Sequence, residues 1–161
     1  MENAMPKRKK IALVLIILVL CFIWGQSLLD GEASSRESGF VFQLVYPFLY
    51  RVFGEVDATE HLLRKLAHFM EYAALGCSLS LYFGYDQKSV LKGMNVALLA
   101  ALFDETIQLF SVSRGPQISD IWLDFSGAVT GILIFSVCFF AVVRIRNHSA
   151  EKKSSDPSAR S

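Results

Sequence analysis

Residues 7–29 read KRKKIALVLIILVLCFIWGQSLL: four consecutive cations, then nineteen residues without a charge. A helix rises about 1.5 Å per residue, so such a run nearly matches the roughly 30 Å hydrocarbon core of a bilayer. A secretory leader also starts with cations and an apolar run, but its apolar part is only about 7–15 residues and ends at a small-x-small cleavage site. No such site closes this run tightly. The four residues Leu18-Val19-Leu20-Cys21 also lack the small residue that a lipoprotein cleavage site places before its cysteine. The stretch therefore reads as a retained membrane helix.

Three further apolar runs follow, at about 62–83, 90–110 and 120–143, each interrupted by only a few ionisable residues. The 161-residue chain is 53% hydrophobic with a mean hydropathy of +0.40, one domain's worth of material and too apolar for most soluble folds of its size. The expected fold is all-α: a polytopic four-helix transmembrane bundle over residues 11–143. A basic N-terminus (1–10) precedes it, and a polar, disordered tail (144–161) follows it. Basic residues set the orientation, because cytoplasmic flanks collect them. Eleven of the sixteen Lys and Arg fall in the N-terminal segment, the turn between spans two and three, and the C-terminal segment. The other five are Arg36, Arg51, Arg64, Lys65 and Arg114. This division predicts a multi-pass plasma-membrane protein with both termini cytoplasmic. It also leaves no pooled basic face for nucleic acid.

The long outer loop contains FVFQLVYPFLYRVF (residues 40–53), too short to cross and carrying Pro47 near its centre. It reads as an amphipathic or re-entrant segment whose aromatic rings sit at headgroup level. Cys21, Cys77 and Cys138 all lie within apolar runs, without metal-type spacing, and read as small core residues.

An ionised side chain inside a membrane helix costs roughly 2.5–3.5 kcal/mol on insertion scales, so such groups face the bundle interior and have a partner or a task. Span two carries Lys65, His68, Glu71 and Tyr72; span three carries Asp104, Glu105 and Gln108, followed by Arg114; span four opens with Asp120 and Asp124. With the orientation above, all of them fall in the outer half of the bundle. Gly127 and Gly131 continue the face of Asp120 and Asp124, a spacing that lets another helix approach closely.

Taken singly, each residue has a structural explanation: a satisfied core histidine at 68, an N-cap at Asp120, a snorkelling Lys65, an acid at 104 or 105 paired with Lys65 or Arg114. Together they form a candidate ligand-binding cluster. His68 and Glu71 are the candidate acid–base pair, and Arg64, Lys65 and Arg114 suit a phosphate or carboxylate. One imidazole among carboxylates would also suit a divalent cation such as Mg²⁺, Mn²⁺ or Zn²⁺, although no ligand spacing is diagnostic. No nucleophile elbow and no phosphate-cradling glycine loop is present, so whether the chain is an enzyme is left open.

The segments Lys65-x-x-His68-Phe-x-Glu71-Tyr72-x-x-Leu75-Gly76, Asp104-Glu105-x-x-Gln108 with Arg114, and Asp120-x-x-x-Asp124-x-x-Gly127-x-x-x-Gly131 resemble the VanZ-like family of bacterial integral membrane proteins. Gln26-Ser27 and Ser34-Ser35-x-x-Ser38 add a looser match. The resemblance covers about residues 20–135 and departs at Asp124, where the family pattern has Asn; an ionised carboxylate cannot donate the hydrogen bond an amide can. It implies a cell-envelope role and, for the named member, resistance to teicoplanin-type lipoglycopeptides. The expected partners are membrane lipids or lipid-linked envelope intermediates, including an outer-leaflet lipid or lipoglycopeptide. The alternative is a membrane-embedded hydrolase or transferase, metal-assisted or acid–base, acting on a lipid-linked phosphate or acyl group.

Overall fold

The computed structural model of the chain describes residues 5–28, 43–48, 50–51, 60–110 and 117–154, with side chains left undescribed at 60 and 149–154. Among them there is helix and no strand. Four long helices follow in order: α1 (Lys7–Leu28), α2 (Glu60–Phe83), α3 (Gln87–Gln108) and α4 (Ile118–Ser154).

Local chemistry sets their ends. Pro6 fixes the entry to α1, and its carbonyl accepts from the Lys9 and Lys10 amides at 2.9 and 3.2 Å. α2 ends where Gly84 takes φ +107°, a left-handed conformation that glycine adopts without steric cost, and the Gly84 amide closes the last turn on the Ser80 carbonyl at 2.9 Å. Asp86 then caps α3, accepting from the Ser89 amide at 3.2 Å. The bonds from Ser89 hold the fully exposed Asp86 carboxyl below the usual carboxylate range. Its capping contribution is therefore complete above the unfolded carboxylate value and declines as pH falls through the depressed one. Thermal melts in detergent should show that acid-limb loss in the native chain and a smaller one in Asp86→Ala.

So short a turn makes α2 and α3 antiparallel, and ring contacts fix the rest. At one end Lys9 Nζ stands 5.7 Å from the Tyr82 ring, and Tyr85 stacks on Phe139 at 3.8 Å. At the other, Trp24 meets Phe103 edge-on at 4.8 Å. The polar ends of α2, α3 and α4 thus share one end of the bundle with the C-terminal end of α1.

The most extensive helix contact is α2 with α4. Three glycines make it possible: a Cβ added to Gly127 would run into the Phe69 carbonyl, one on Gly131 into that of Ala73, and one on Gly76 into that of Ala128. The backbones touch directly there, as small residues permit in membrane helices. Around that seam Ile16, Ile23, Tyr72, Leu75, Leu79, Ala97 and Ala128 form a continuous buried core.

Outside it the pattern inverts. Large apolar side chains such as Ile11, Leu18, Leu99, Leu133 and Val137 are exposed, whereas Asp104, Glu105, Asp124 and Ser27 are buried. In water so much exposed apolar surface would drive association, whereas lipid covers it at no cost. Two helices, Lys7–Leu28 and Ile118–His148, are long and apolar enough to cross a membrane, and little of either is buried within the chain. α2 and α3 fall short of that measure, carrying Arg64, Lys65, His68 and Glu71 on one and Lys88, Lys92, Asp104 and Glu105 on the other.

Two expectations change. Cys21 and Cys138 are exposed and only Cys77 is partly buried, so two of the cysteines stand on the outer apolar surface rather than in the core. A thiol is apolar enough for either setting. The tail, expected to be disordered from 144, continues α4 to Ser154; Arg, Ala, Glu and Lys there are good helix formers and no proline intervenes before 157. Within the segment 40–53, residues 43–48 and 50–51 are helical, with Leu44, Phe48 and Tyr50 exposed. The remainder of that segment lies outside the described residues.

Candidate functional site

At the end where α1 finishes and α4 begins, the polar residues converge on a pocket of about 200 Å³. α2 contributes His61, Arg64, Lys65 and His68; α3 contributes Glu105 and Gln108; Gln117, just before α4, and Asp120, Leu123 and Asp124 at its start complete the lining. The rim is cationic and partly exposed. Lys65 Nζ pairs with Asp120 Oδ1 at 3.0 Å, the side chains 31% and 26% exposed, which links the ends of α2 and α4. Such a pair contributes little stability in water. Asp120 is not the N-cap that the sequence suggested: α4 begins two residues earlier, at Ile118, leaving Asp120 in the first turn.

The floor is acidic and buried. Glu105 accepts from the Gln117 backbone amide at 3.0 Å, taking one of the donors that a helix start leaves unsatisfied. Asp104 accepts from Gln108 Nε2 at 3.1 Å, one turn along α3. Of the two partners expected for one of these acids, Lys65 pairs with Asp120 instead, and Arg114 lies outside the described residues. Asp124 stands within electrostatic reach of His68, Asp104, Glu105 and Asp120. His68 Nδ1 lies 3.5 Å from Glu71 Oε2, close enough for an ion pair but without hydrogen-bond geometry.

Polar atoms without partners decide how this cluster is understood. His68 Nδ1, Glu71 Oε2, Tyr72 Oη, Asp104 Oδ1, Glu105 Oε1, Ser27 Oγ and Trp24 Nε1 are all buried with no hydrogen-bond partner among the described residues. An unmet buried polar group costs about 1–3 kcal/mol, and native structures hold few of them. The seven gather at one end of a small bundle: His68 Nδ1 and Glu71 Oε2 face each other at 3.5 Å and Ser27 stands beside Asp104, while Tyr72 Oη, Glu105 Oε1 and Trp24 Nε1 are left without a partner among the described residues. Among the described residues no group of three or more His, Cys, Asp or Glu is placed to hold a metal ion. The divalent-cation expectation therefore finds no support in the geometry.

Of the sequence candidates, Lys65, His68, Glu105, Gln108, Asp120 and Asp124 line the pocket, and Glu71, Tyr72 and Asp104 lie behind it; Arg114, Ser34, Ser35 and Ser38 lie outside the described residues. The VanZ/LLP1 family pattern matches residues 12–140. The chain belongs to the VanZ/LLP1 family. No curated protein and no solved structure matches it. With its two apolar helices, family membership makes this a membrane protein, and the matched region takes in α2 and α3 whole, most of α1 and α4, and every residue of the pocket.

Three site residues escape a search for ionisable side chains in apolar runs. Ser27 is completely buried beside Asp104, Trp24 packs against α3, and Gln117 acts through its backbone amide. Ser27 had one signal, the Gln26-Ser27 match. The other two had none.

Proposed function

We propose that this VanZ/LLP1 protein is a four-span plasma-membrane protein with both termini cytoplasmic. In this reading its outer-end pocket binds the polar part of an envelope lipid or lipoglycopeptide and so contributes to teicoplanin-type resistance. The observation that carries the reading is the set of unpartnered buried polar atoms around one pocket. The bland alternative, polar residues gluing helices together, would leave them mutually satisfied. The counted basic residues support the orientation. α2 and α3 cross in spite of their charges because Asp104 and Glu105 turn toward the interior, Lys88 and Lys92 lie at the cytoplasmic end of α3, and the surrounding surface is apolar. The exposed aromatic and aliphatic residues of 43–51 supply an interfacial contact for the acyl part.

A second reading, a lipid-directed hydrolase or transferase, is favoured by one observation, the His68–Glu71 pair at 3.5 Å. There Glu71 would orient the imidazole as a proton acceptor.

Deletion and complementation separate these readings. Complementation by His68→Ala, Glu71→Ala, Asp104→Ala or Asp120→Ala, with protein levels in the membrane verified, is expected to restore neither lipoglycopeptide tolerance nor envelope integrity. Full restoration by all four would overturn the proposal. Accumulation of a lipid species in the deletion strain, cleared by wild type but not by His68→Ala, would decide for the enzyme.

A further inference from the structure

The pocket is electrically divided along its depth. At the rim Arg64 is partly exposed and has no acidic partner among the described residues, while Lys65 is already matched to Asp120. At the floor Glu105 and Asp124 are 96% and 98% buried, and no cation among the described residues is paired with either. The Glu105 carboxylate has one oxygen on the Gln117 amide and the other, Oε1, unpartnered. Asp104 and Glu71 stand behind them, and the nearby His68 is a single imidazole against four carboxylates. Carboxylates taken out of water either take up a proton or are stabilised by a positive partner, and hydrogen bonds from amides do not supply charge.

Resting on the binding reading above, we propose that the ligand is a zwitterion of the phosphoethanolamine type. Its phosphate sits at the rim against Arg64, and its ammonium sits at the floor between Glu105 and Asp124. A guanidinium is suited to the first contact, offering parallel donors to phosphate oxygens. An ammonium is suited to the second, because its three donors meet an unpartnered carboxylate oxygen and bring the missing positive charge. A pocket of about 200 Å³ holds a headgroup of this size and leaves the acyl chains to the apolar exterior. A purely anionic headgroup would satisfy Arg64 and leave the floor unmatched.

The test uses the purified full chain in detergent and isothermal titration with three probes: dihexanoylphosphatidylethanolamine, its N-acetylated derivative, and free phosphoethanolamine. N-acetylation removes the positive charge and keeps the phosphate. The amine lipid is expected to bind roughly tenfold or more tightly than the acetylated one, since a tenfold ratio corresponds to about 1.4 kcal/mol. Glu105→Gln and, independently, Asp124→Asn should bring that ratio close to one while lipid binding persists, and Arg64→Gln should weaken both lipids alike. Free phosphoethanolamine should bind less tightly than the lipid; equal binding would support the zwitterion chemistry and assign it to a soluble source. If the two lipids bind equally in wild type and Arg64→Gln weakens both, the ammonium assignment is overturned while the pocket reading stands. If neither lipid binds, both are overturned.

Discussion

Replacing Gly131 by leucine is expected to separate α4 from α2 and leave little folded protein in the membrane. At this position even a single added carbon would collide with the Ala73 carbonyl, a backbone atom that cannot rotate away. Relief requires moving a whole helix, and α2 with α4 is the most extensive contact in the bundle. Overpacking a tight interior costs about 1–3 kcal/mol when side chains can adjust; with backbone as the obstacle the cost lies at or above that upper figure. The same holds at Gly127 and Gly76. Gly93 provides the contrast, since its added carbon would lie 3.6 Å from Ile132 Cδ1 and 3.8 Å from Leu79 Cβ, ordinary contacts. Gly93→Ala should therefore melt near wild type, and Gly25→Ala, with nothing within 4 Å, should do the same. The order of melting temperatures across these variants checks the packing.

Asp104→Asn is expected to abolish lipid binding and yet raise thermal stability. Asp104 is fully buried and accepts from Gln108, while its other oxygen has no partner. The amide keeps an acceptor for Gln108, supplies a donor toward Ser27, which stands beside it, and removes a charge from the interior. A gain of about 1 kcal/mol follows, which for a chain of this size is a few degrees in melting temperature. Asp104→Ala should go the other way, because it strands Gln108 Nε2 as well. A site that sacrifices stability for binding gives this opposition between activity and melting point. A merely structural carboxylate would lose stability in both variants.

Much of this arrangement was legible in the sequence because lipid leaves few options. A run such as 11–29 cannot be accommodated in water without cover, and ionisable residues such as His68 or Asp104 inside apolar runs must turn inward. That reasoning brought Lys65, His68, Glu105, Gln108, Asp120 and Asp124 to one pocket without coordinates. It could not choose among partners, because pairing depends on helix rotation and height. Lys65 meets Asp120 rather than the acids of α3, and Glu105 meets a backbone amide that no side-chain inventory contains. The cysteines were misplaced for a related reason: a small apolar side chain is equally at home against lipid and against helix, so its type carries no direction. The end of α4 was set short because polarity marks where a helix leaves the membrane, and nothing in residues 144–154 stops the helix itself.

The most direct test of the central claim, a lipid-binding pocket at the outer end of the bundle, is native mass spectrometry of the chain released from membranes, comparing wild type with Asp104→Asn. The pocket reading predicts a wild-type population carrying one retained lipid mass that is lost in Asp104→Asn although the variant remains folded. Equal retention in both, or bare protein in both, would contradict it.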